Sequence, residues 1–245
     1  MYFQDYIWFM FAILACMVFS GIASGKVKTS FNKHNGTRCH SGYTGCDTAN
    51  RLMRANGVHG IAVGSARGFL TDHYNPTKST VKLSESTYGN NSIAAVAVAA
   101  HEIGHVMQKK EGYGLYKIRT ALVPIVNFGT HLAMPLVLVG LLLDWFFAAA
   151  DANTGFYIAM VGVILYGGSL LFALVTLPVE LNASHRAQKM LIAEGILAED
   201  EIPAAKEVLS AAALTYLASL MTSLVYFLRF LVRVLTMFGR RNDRR

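Results

Sequence analysis

Residues 99–105 read Ala99-Ala100-His101-Glu102-Ile103-Gly104-His105 and contain the pattern H-E-x-x-H. On an α-helix, positions i and i+4 lie on one face, so the imidazoles of His101 and His105 can converge on a single metal ion. Glu102 lies at the edge of that face, where a carboxylate beside the metal can take a proton from water. The pattern therefore predicts a catalytic zinc site, and core histidines on a buried helix are the alternative.

The helix that carries the pattern is predicted by the residues before it. Asn91 or Ser92 supplies an N-cap, and residues 93–100 are all apolar. The histidine face also carries small residues, which lets a neighbouring element approach the metal closely. Catalytic zinc usually has three protein ligands and one open position, so the third ligand must come from elsewhere in the chain.

The composition is that of a membrane protein. Of the 245 residues, 53% are hydrophobic and only 15% are charged, which is unusual for a soluble protein. The formal net charge of +7 could suggest nucleic-acid binding, but the chain has no RNP, zinc-finger or helix-turn-helix signature. Basic residues instead flank apolar segments, as the positive-inside rule describes, and we expect no nucleic-acid partner.

Four apolar runs are long enough to cross a bilayer, at residues 6–24, 121–143, 156–177 and 208–228. The first run follows Asp5 and precedes Lys26 and Lys28, which is opposite to a secretory signal peptide. We therefore interpret it as an uncleaved anchor with its N-terminus outside. The sequence predicts a mainly α, multi-pass protein of the cell membrane with about four apolar helices.

Charge distribution sets the expected orientation. The polar region after the first run is strongly basic, so we expect it to face the cytoplasm, and the acidic loop 144–155 to face outward. Four full spans would place the basic C-terminal tail outside, against the rule. Either one run is re-entrant, or the last lies in the interface with its arginines on anionic lipid. The basic residues of this tail are Arg229, Arg233, Arg240, Arg241, Arg244 and Arg245.

The polar region is predicted to hold a small sheet followed by the H-E-x-x-H helix. Thr44 and Asp47 form a capping box for a helix that ends at Asn56-Gly57. Strands are predicted at 61–63, 69–74 and 80–83. An exposed strand edge beside the metal helix could hold an extended peptide by β-augmentation.

The expected organisation is an N-terminal transmembrane anchor at 1–25, an extramembrane catalytic region at 26–118, a transmembrane hairpin at 119–177, a helix with the third zinc ligand at 178–203, and a C-terminal apolar helix with basic tail at 204–245.

The three cysteines do not form a disulfide framework. Cys16 lies in an apolar run, where a thiol behaves as a small hydrophobic group. Cys39 and Cys46, with His34 and His40 nearby, could form a second metal site, but their spacing is not that of a standard zinc module. We favour reduced cytosolic thiols.

Glu180 follows the third apolar run in the stretch Pro178-Val179-Glu180. It could be a solvated charge at the end of a helix. If it lies on the same side of the membrane as His101, it could instead supply the oxygen ligand of a His2Glu zinc site. Spacing alone leaves both interpretations open.

The sequence resembles the YugP-like family of neutral zinc metallopeptidases of bacterial membranes. The likeness covers nearly the whole chain and is carried, besides the H-E-x-x-H helix, by four stretches, at residues 70–76, 81–86, 119–124 and 177–184. The chain is more distantly similar to the HtpX and CAAX prenyl protease type of gluzincin. In those proteins a short sheet precedes H-E-x-x-H, and a membrane hairpin separates it from a glutamate ligand.

This resemblance implies a gluzincin-like α+β core and nominates Glu180 as the third ligand. The distant relatives carry E-x-x-A-D, whereas this chain has E-x-x-A-S, so Ser184 stands where they have an aspartate beside the metal site. A metzincin is excluded because Gln108 and Glu111 stand where that class needs Gly and His.

The expected function is that of a membrane-embedded zinc endopeptidase that hydrolyses peptide bonds of membrane-associated or misfolded proteins. One Zn²⁺ per chain is held by His101, His105 and Glu180, and Glu102 is the general base. Three further residues are candidates, by side-chain type, for the oxyanion or the substrate: His73, Tyr74 and Arg186.

A second interpretation is a membrane adaptor or quality-control partner with a structural zinc, closed by Cys39, Cys46 or another histidine as fourth ligand. A transporter is disfavoured because the apolar runs contain few polar residues. The sequence leaves the natural substrate, the cleavage specificity and the oligomeric state open.

Overall fold

The computed structural model describes residues 2–146 and 154–242. Most of the loop expected at 144–155, and the last residues of the basic tail, lie outside the described residues. In chain order the elements are α1 (Tyr2–Asn35), α2 (Gly45–Ala55), β1 (Ala62–Ala66), β2 (His73–Asn75), β3 (Thr80–Ser84), α3 (Glu85–Tyr88), α4 (Ile93–Lys110), α5 (Gly114–Phe146), α6 (Thr154–Ala193) and α7 (Ile202–Asn242).

Within residues 2–146 and 154–242, four helices are long and apolar enough to cross a membrane, namely α1, α5, α6 and α7. This confirms the predicted mainly α class with about four apolar helices and a small sheet. About 20 residues suffice to cross the hydrocarbon core, and each of these helices has more than 30, so each extends beyond its apolar run. Helix α6 continues through Pro178, so the third apolar run and Glu180 lie on one helix. A proline inside a helix removes one backbone hydrogen bond without ending the helix when neighbouring packing supports it.

The chain divides into two compact units. Unit 1 contains Met1–Ser20, Ile118–Thr176 and Tyr216–Arg245, and it comprises most of the apolar helical segments. Its core is formed where α5, α6 and α7 meet, by Val137, Ala159, Val163 and Val234. Many large apolar side chains elsewhere on these helices are exposed, as expected for surfaces that face lipid.

Unit 2 contains Gly21–Lys117 and Leu177–Thr215. Its three-stranded sheet has the order β1-β3-β2, with β1 parallel and β2 antiparallel to β3. Its core packs the sheet, α2 and α4 against the second half of α6, and fully buried side chains in it include Leu52, Leu83, Ile103 and Leu191. Strand β2 is therefore an edge strand of this sheet.

The second strand is shorter than the predicted 69–74. Gly68 and Leu70 have φ values of 104° and 55°, and this left-handed backbone interrupts an extended strand. The strand consequently begins only at His73, next to α4.

The predicted capping box of α2 is confirmed, since the Thr44 side chain and the Asp47 side chain each bond the other's backbone N–H. Ser92 is the N-cap of α4, with its hydroxyl accepting from the Ala95 N–H.

Candidate active site

Helices α4 and α6 make an unusually close approach at Gly104. A Cβ atom at this position would lie 2.5 Å from the backbone oxygen of Ala183. Only glycine leaves room for that carbonyl, so the residue between the two histidines of the pattern sets the distance between the helices. The close contact brings the histidine face of α4 against the segment of α6 that carries Glu180.

Three potential metal ligands converge at this contact. The ligand atoms of His101, His105 and Glu180 all lie within 4.8 Å of one another. Glu180 Oε2 is 3.2 Å from His101 Nε2 and 3.4 Å from His105 Nε2. Glu180 is buried and does not form the solvated end-of-helix charge that the sequence left open. Within the described ranges 2–146 and 154–242, this is the one cluster of at least three such side chains.

Each histidine ring is held from its far side. His101 Nδ1 is 3.1 Å from Ser184 Oγ, and His105 Nδ1 is 3.0 Å from Gln108 Oε1. Gln108 Nε2 donates to the Val179 carbonyl and to Asn182 Oδ1, so its Oε1 accepts from His105 Nδ1–H. An imidazole that donates from Nδ1 presents the lone pair of Nε2, which is the form that binds a metal.

Glu102 lies beside the ligand cluster, deeply buried. Burial raises the pKa of its carboxyl to about 7, and the charges of Glu180 and Asp72 add to that rise, while His101 and a hydrogen bond from the Tyr74 backbone oppose it. A carboxyl with a pKa near neutrality suits proton transfer at physiological pH.

The Tyr74 backbone connects the edge strand to the site. Tyr74 is opposite Val81 in the antiparallel pair of β2 and β3. The Tyr74 backbone lowers the pKa of Glu102, so β2 lies close to that carboxyl. Strand β2 therefore passes beside the candidate site. Burial also raises the pKa of the Tyr74 phenol.

The other two residues singled out from the sequence have local partners. His73 is exposed and its Nδ1 lies 2.9 Å from the Thr71 carbonyl. Arg186 donates from Nη1 to Glu111 at 2.6 Å and from Nε to Asn182 Oδ1 at 2.8 Å. Because Asn182 Oδ1 also accepts from Gln108, Arg186 belongs to the network that reaches His105.

The sequence did not identify Gln108 and Asn182 as parts of the site, and it left Ser184 without a role. A signal was present, because Gln108 is three residues after His105 and Ser184 is four residues after Glu180, and such pairs share a helix face. Tyr116 was also missed, and its ring centroid lies 6.3 Å from that of His105. The sequence signal for Tyr116 is weaker, because this residue is on the next helix, α5.

The cysteines take no part in this cluster. Cys39 is buried, with its Sγ 3.4 Å from the Tyr43 carbonyl, and Cys46 Sγ accepts from Asn50. All three cysteines are free thiols, in line with the interpretation favoured from the sequence.

The model of the family described as "Putative neutral zinc metallopeptidase" matches residues 9–235. The chain belongs to this family. It is also similar to the "Putative membrane protease YugP" of Bacillus subtilis (strain 168), with 41% identity over 224 residues, which cover 91% of this chain and 95% of the relative. No solved structure matches the chain.

Family membership confirms the predicted zinc cofactor, and the donor set fits that metal. Two neutral imidazole nitrogens and one carboxylate oxygen are the ligands of many catalytic zinc sites. Ser184 and Gln108 hold the two rings from the opposite nitrogen, which is the usual arrangement around protein-bound zinc. The apolar helices and the similarity to a membrane protease both support a membrane location.

Proposed function

We propose that this protein is a membrane-embedded zinc endopeptidase that hydrolyses peptide bonds in membrane-associated or misfolded polypeptides. The observation that carries the proposal is the convergence of His101, His105 and Glu180 within 4.8 Å beside the buried carboxyl of Glu102. The first three residues would hold one Zn²⁺ per chain. Glu102 would act as the general base.

In this mechanism zinc, when bound, acidifies water and polarises the scissile carbonyl. Glu102 accepts the proton as the water attacks, and it can later return that proton to the leaving amine. The Tyr74 backbone lies close to the Glu102 carboxyl on the strand side. Ser184 and Gln108 keep the histidine rings in the orientation that zinc binding needs.

We further propose that β2 binds the substrate backbone. An extended peptide can add to a sheet edge by main-chain hydrogen bonds, and β2 is the edge strand next to Glu102. This mode selects unfolded or extended segments and tolerates many side chains, which fits misfolded polypeptides as substrates.

Tyr74 is the residue that we favour for stabilising the oxyanion, among the three candidates. The His73 Nδ1–H donates to the Thr71 carbonyl, so the neutral ring presents only an acceptor at Nε2. Arg186 is engaged by Glu111 and Asn182. Tyr74 carries a phenol donor on the strand whose backbone lies close to Glu102.

The protein is proposed to be multi-pass, with unit 2 facing the cytoplasm. Four helices of sufficient length and hydropathy support several spans, and the basic character of residues 26–82 supports the cytoplasmic orientation. The adaptor interpretation requires a closed zinc site. Within the part of the chain that the structure describes, the cluster contains three ligands, and Cys39 and Cys46 are not among them.

Proteolysis of fluorescein-labelled casein by the full chain in detergent and in proteoliposomes tests the proposal. We expect zinc-dependent cleavage that is abolished by 1,10-phenanthroline and lowered at least about 100-fold by Glu102→Gln. Glu199→Gln is the matched control, because it makes the same chemical change at an exposed position. Two results would contradict the proposed function. One is cleavage that survives Glu102→Gln, and the other is zinc-loaded protein that cleaves no polypeptide.

A further inference from the structure

A groove of about 700 Å³ lies within unit 1, among α1, α5 and α7. Its walls are almost entirely apolar, and they include Tyr6 and Phe9 of α1 and Leu138 of α5. Two guanidinium groups, those of Arg229 and Arg233, are also part of its lining. Its volume lies within the range of about 300–1,000 Å³ that is usual for ligand pockets in proteins.

The two arginines are four residues apart on α7 and therefore lie on one face of that helix. The Arg229 guanidinium lies 4.9 Å from the ring centroid of Phe9 and 6.0 Å from that of Tyr6. Such stacking occupies the face of a guanidinium and leaves its in-plane N–H groups for an acceptor. Among the side chains that the structure describes, no carboxylate forms an ion pair with Arg229.

A positive charge among apolar helices of a membrane protein is costly unless an anion or water compensates it, and such residues usually mark a functional site. Polar small molecules such as nucleotides or sugars need many polar contacts, which these walls do not offer. A ligand that matches both features has a long apolar part and one anionic group. In a membrane the abundant molecule of this kind is a phospholipid with net negative charge.

We propose that this groove binds an anionic phospholipid, with an acyl chain against Tyr6, Phe9 and Leu138 and the phosphate held by Arg229 and Arg233. The groove is separate from the zinc ligands, all of which belong to unit 2. The proposal therefore does not depend on the proposed peptidase function.

The test is a lipid titration of the delipidated full chain in detergent, followed by native mass spectrometry. The probes are phosphatidylglycerol, phosphatidylcholine with the same acyl chains, and glycerol phosphate as the free headgroup. We expect phosphatidylglycerol to bind about 25-fold more tightly than phosphatidylcholine, from about fivefold for each of two arginines. Glycerol phosphate should bind far more weakly than phosphatidylglycerol, since it has no acyl chain.

Two pairs of variants locate the site. Arg229→Gln with Arg233→Gln should abolish the preference for phosphatidylglycerol, whereas Arg67→Gln, at an exposed position in unit 2, should leave it unchanged. Leu138→Trp should weaken the binding of phosphatidylglycerol at least about tenfold, because the larger side chain fills the groove. Leu132→Trp should change the binding of phosphatidylglycerol less than twofold. Leu132 is exposed on the same helix but is not part of the groove.

Three results would overturn the proposal. The first is equal binding of the two lipids by the wild-type protein. The second is an unchanged preference in the double arginine variant. The third is tight binding of glycerol phosphate that Leu138→Trp does not affect, which would indicate a site for free anions. Should Leu138→Trp fail to fold, replacement of both arginines by lysine keeps the charge and should retain most of the lipid preference.

Discussion

The side-chain oxygen of Gln108 lies 3.0 Å from His105 Nδ1 and accepts its hydrogen bond. The amide nitrogen of the same side chain donates to the Val179 carbonyl and to Asn182 Oδ1. Fully buried, Gln108 thus joins one proposed ligand on α4 to the segment of α6 that carries another. It fixes the tautomer of His105 and ties α4 to residues on either side of Glu180.

Replacing Gln108 by leucine should weaken zinc binding by about 10- to 100-fold, because residues that orient ligands have effects of that size. The measurement is a zinc dissociation constant by chelator competition in detergent. Gln188→Leu is the matched control, since it makes the same change on α6 at a half-buried position. Equal zinc affinity of the Gln108→Leu variant and the wild type, with both proteins folded by circular dichroism, would show that Gln108 does not position His105.

Gly104→Ala should separate α4 from α6 at the site. The new Cβ would meet the Ala183 carbonyl at 2.5 Å, and backbone at that distance cannot rotate away as a flexible side chain would. Overpacking of this kind typically costs about 1–3 kcal/mol. We expect a lower melting temperature and at least about tenfold weaker zinc binding. Gly114→Ala is the control, because its Cβ would meet no atom within 4 Å. Wild-type affinity in Gly104→Ala would argue against a fixed distance between the helices.

Metal-free protein should become less stable as the pH rises through neutrality, and Glu102 should account for part of the loss. Burial raises the folded-state pKa of Glu102 to about 7 from 4.5. The folded state therefore binds this proton more tightly, and the corresponding stability is present below pH 4.5 and lost as the pH rises through about 7. A shift of this size corresponds to about 3 kcal/mol.

Thermal unfolding of the metal-free protein in detergent measures this effect. Glu102→Gln should raise the melting temperature relative to wild type at pH 8 but not at pH 4. Glu199→Gln, at an exposed position, should have no such pH-dependent effect. The same small difference between Glu102→Gln and wild type at both pH values would show that the Glu102 pKa is not raised.

Substrate binding by the edge of β2 makes a prediction about the peptide itself. Methylation of one backbone amide removes a donor without changing any side chain, so it weakens pairing with a strand edge. Peptides that match a casein cleavage site, N-methylated two residues from the scissile bond, should show at least about tenfold lower kcat/KM. A methyl group on an amide six residues away is the control. Similar kcat/KM values for both peptides would exclude strand addition close to the scissile bond.

Local patterns were sufficient to predict the elements with strong chain-local signals. The capping box at Thr44 and Asp47, the Ser92 cap and the apolar run before His101 all form as expected. Strand β2 was predicted too long, because β-type side chains at 69–74 did not reveal the left-handed backbone at Leu70. A hydrophobic pattern indicates which side chains are buried. A positive φ angle depends instead on the turn that the rest of the fold imposes.

In the site, too, some features follow from the local sequence and others depend on the fold. His101, Glu102 and His105 are neighbours on one helix turn, so their mutual placement follows from sequence spacing. Glu180 is 75 residues further along the chain than His105, and only the contact of α4 with α6 at Gly104 brings it to them. Spacing places Gln108 and Ser184 on the faces of the proposed ligands, but the bond of Ser184 to His101 and the bonds of Gln108 to α6 depend on that same contact.

Zinc content of the purified protein tests the central proposal most directly. Wild type and Glu180→Ala, prepared in parallel in detergent and dialysed against a weak chelator, are compared by elemental mass spectrometry. We expect about one zinc per chain in the wild type and very little in Glu180→Ala, because two imidazoles alone hold zinc weakly. Undiminished zinc in Glu180→Ala would contradict the three-ligand site and remove the reason for assigning catalysis to the contact between α4 and α6.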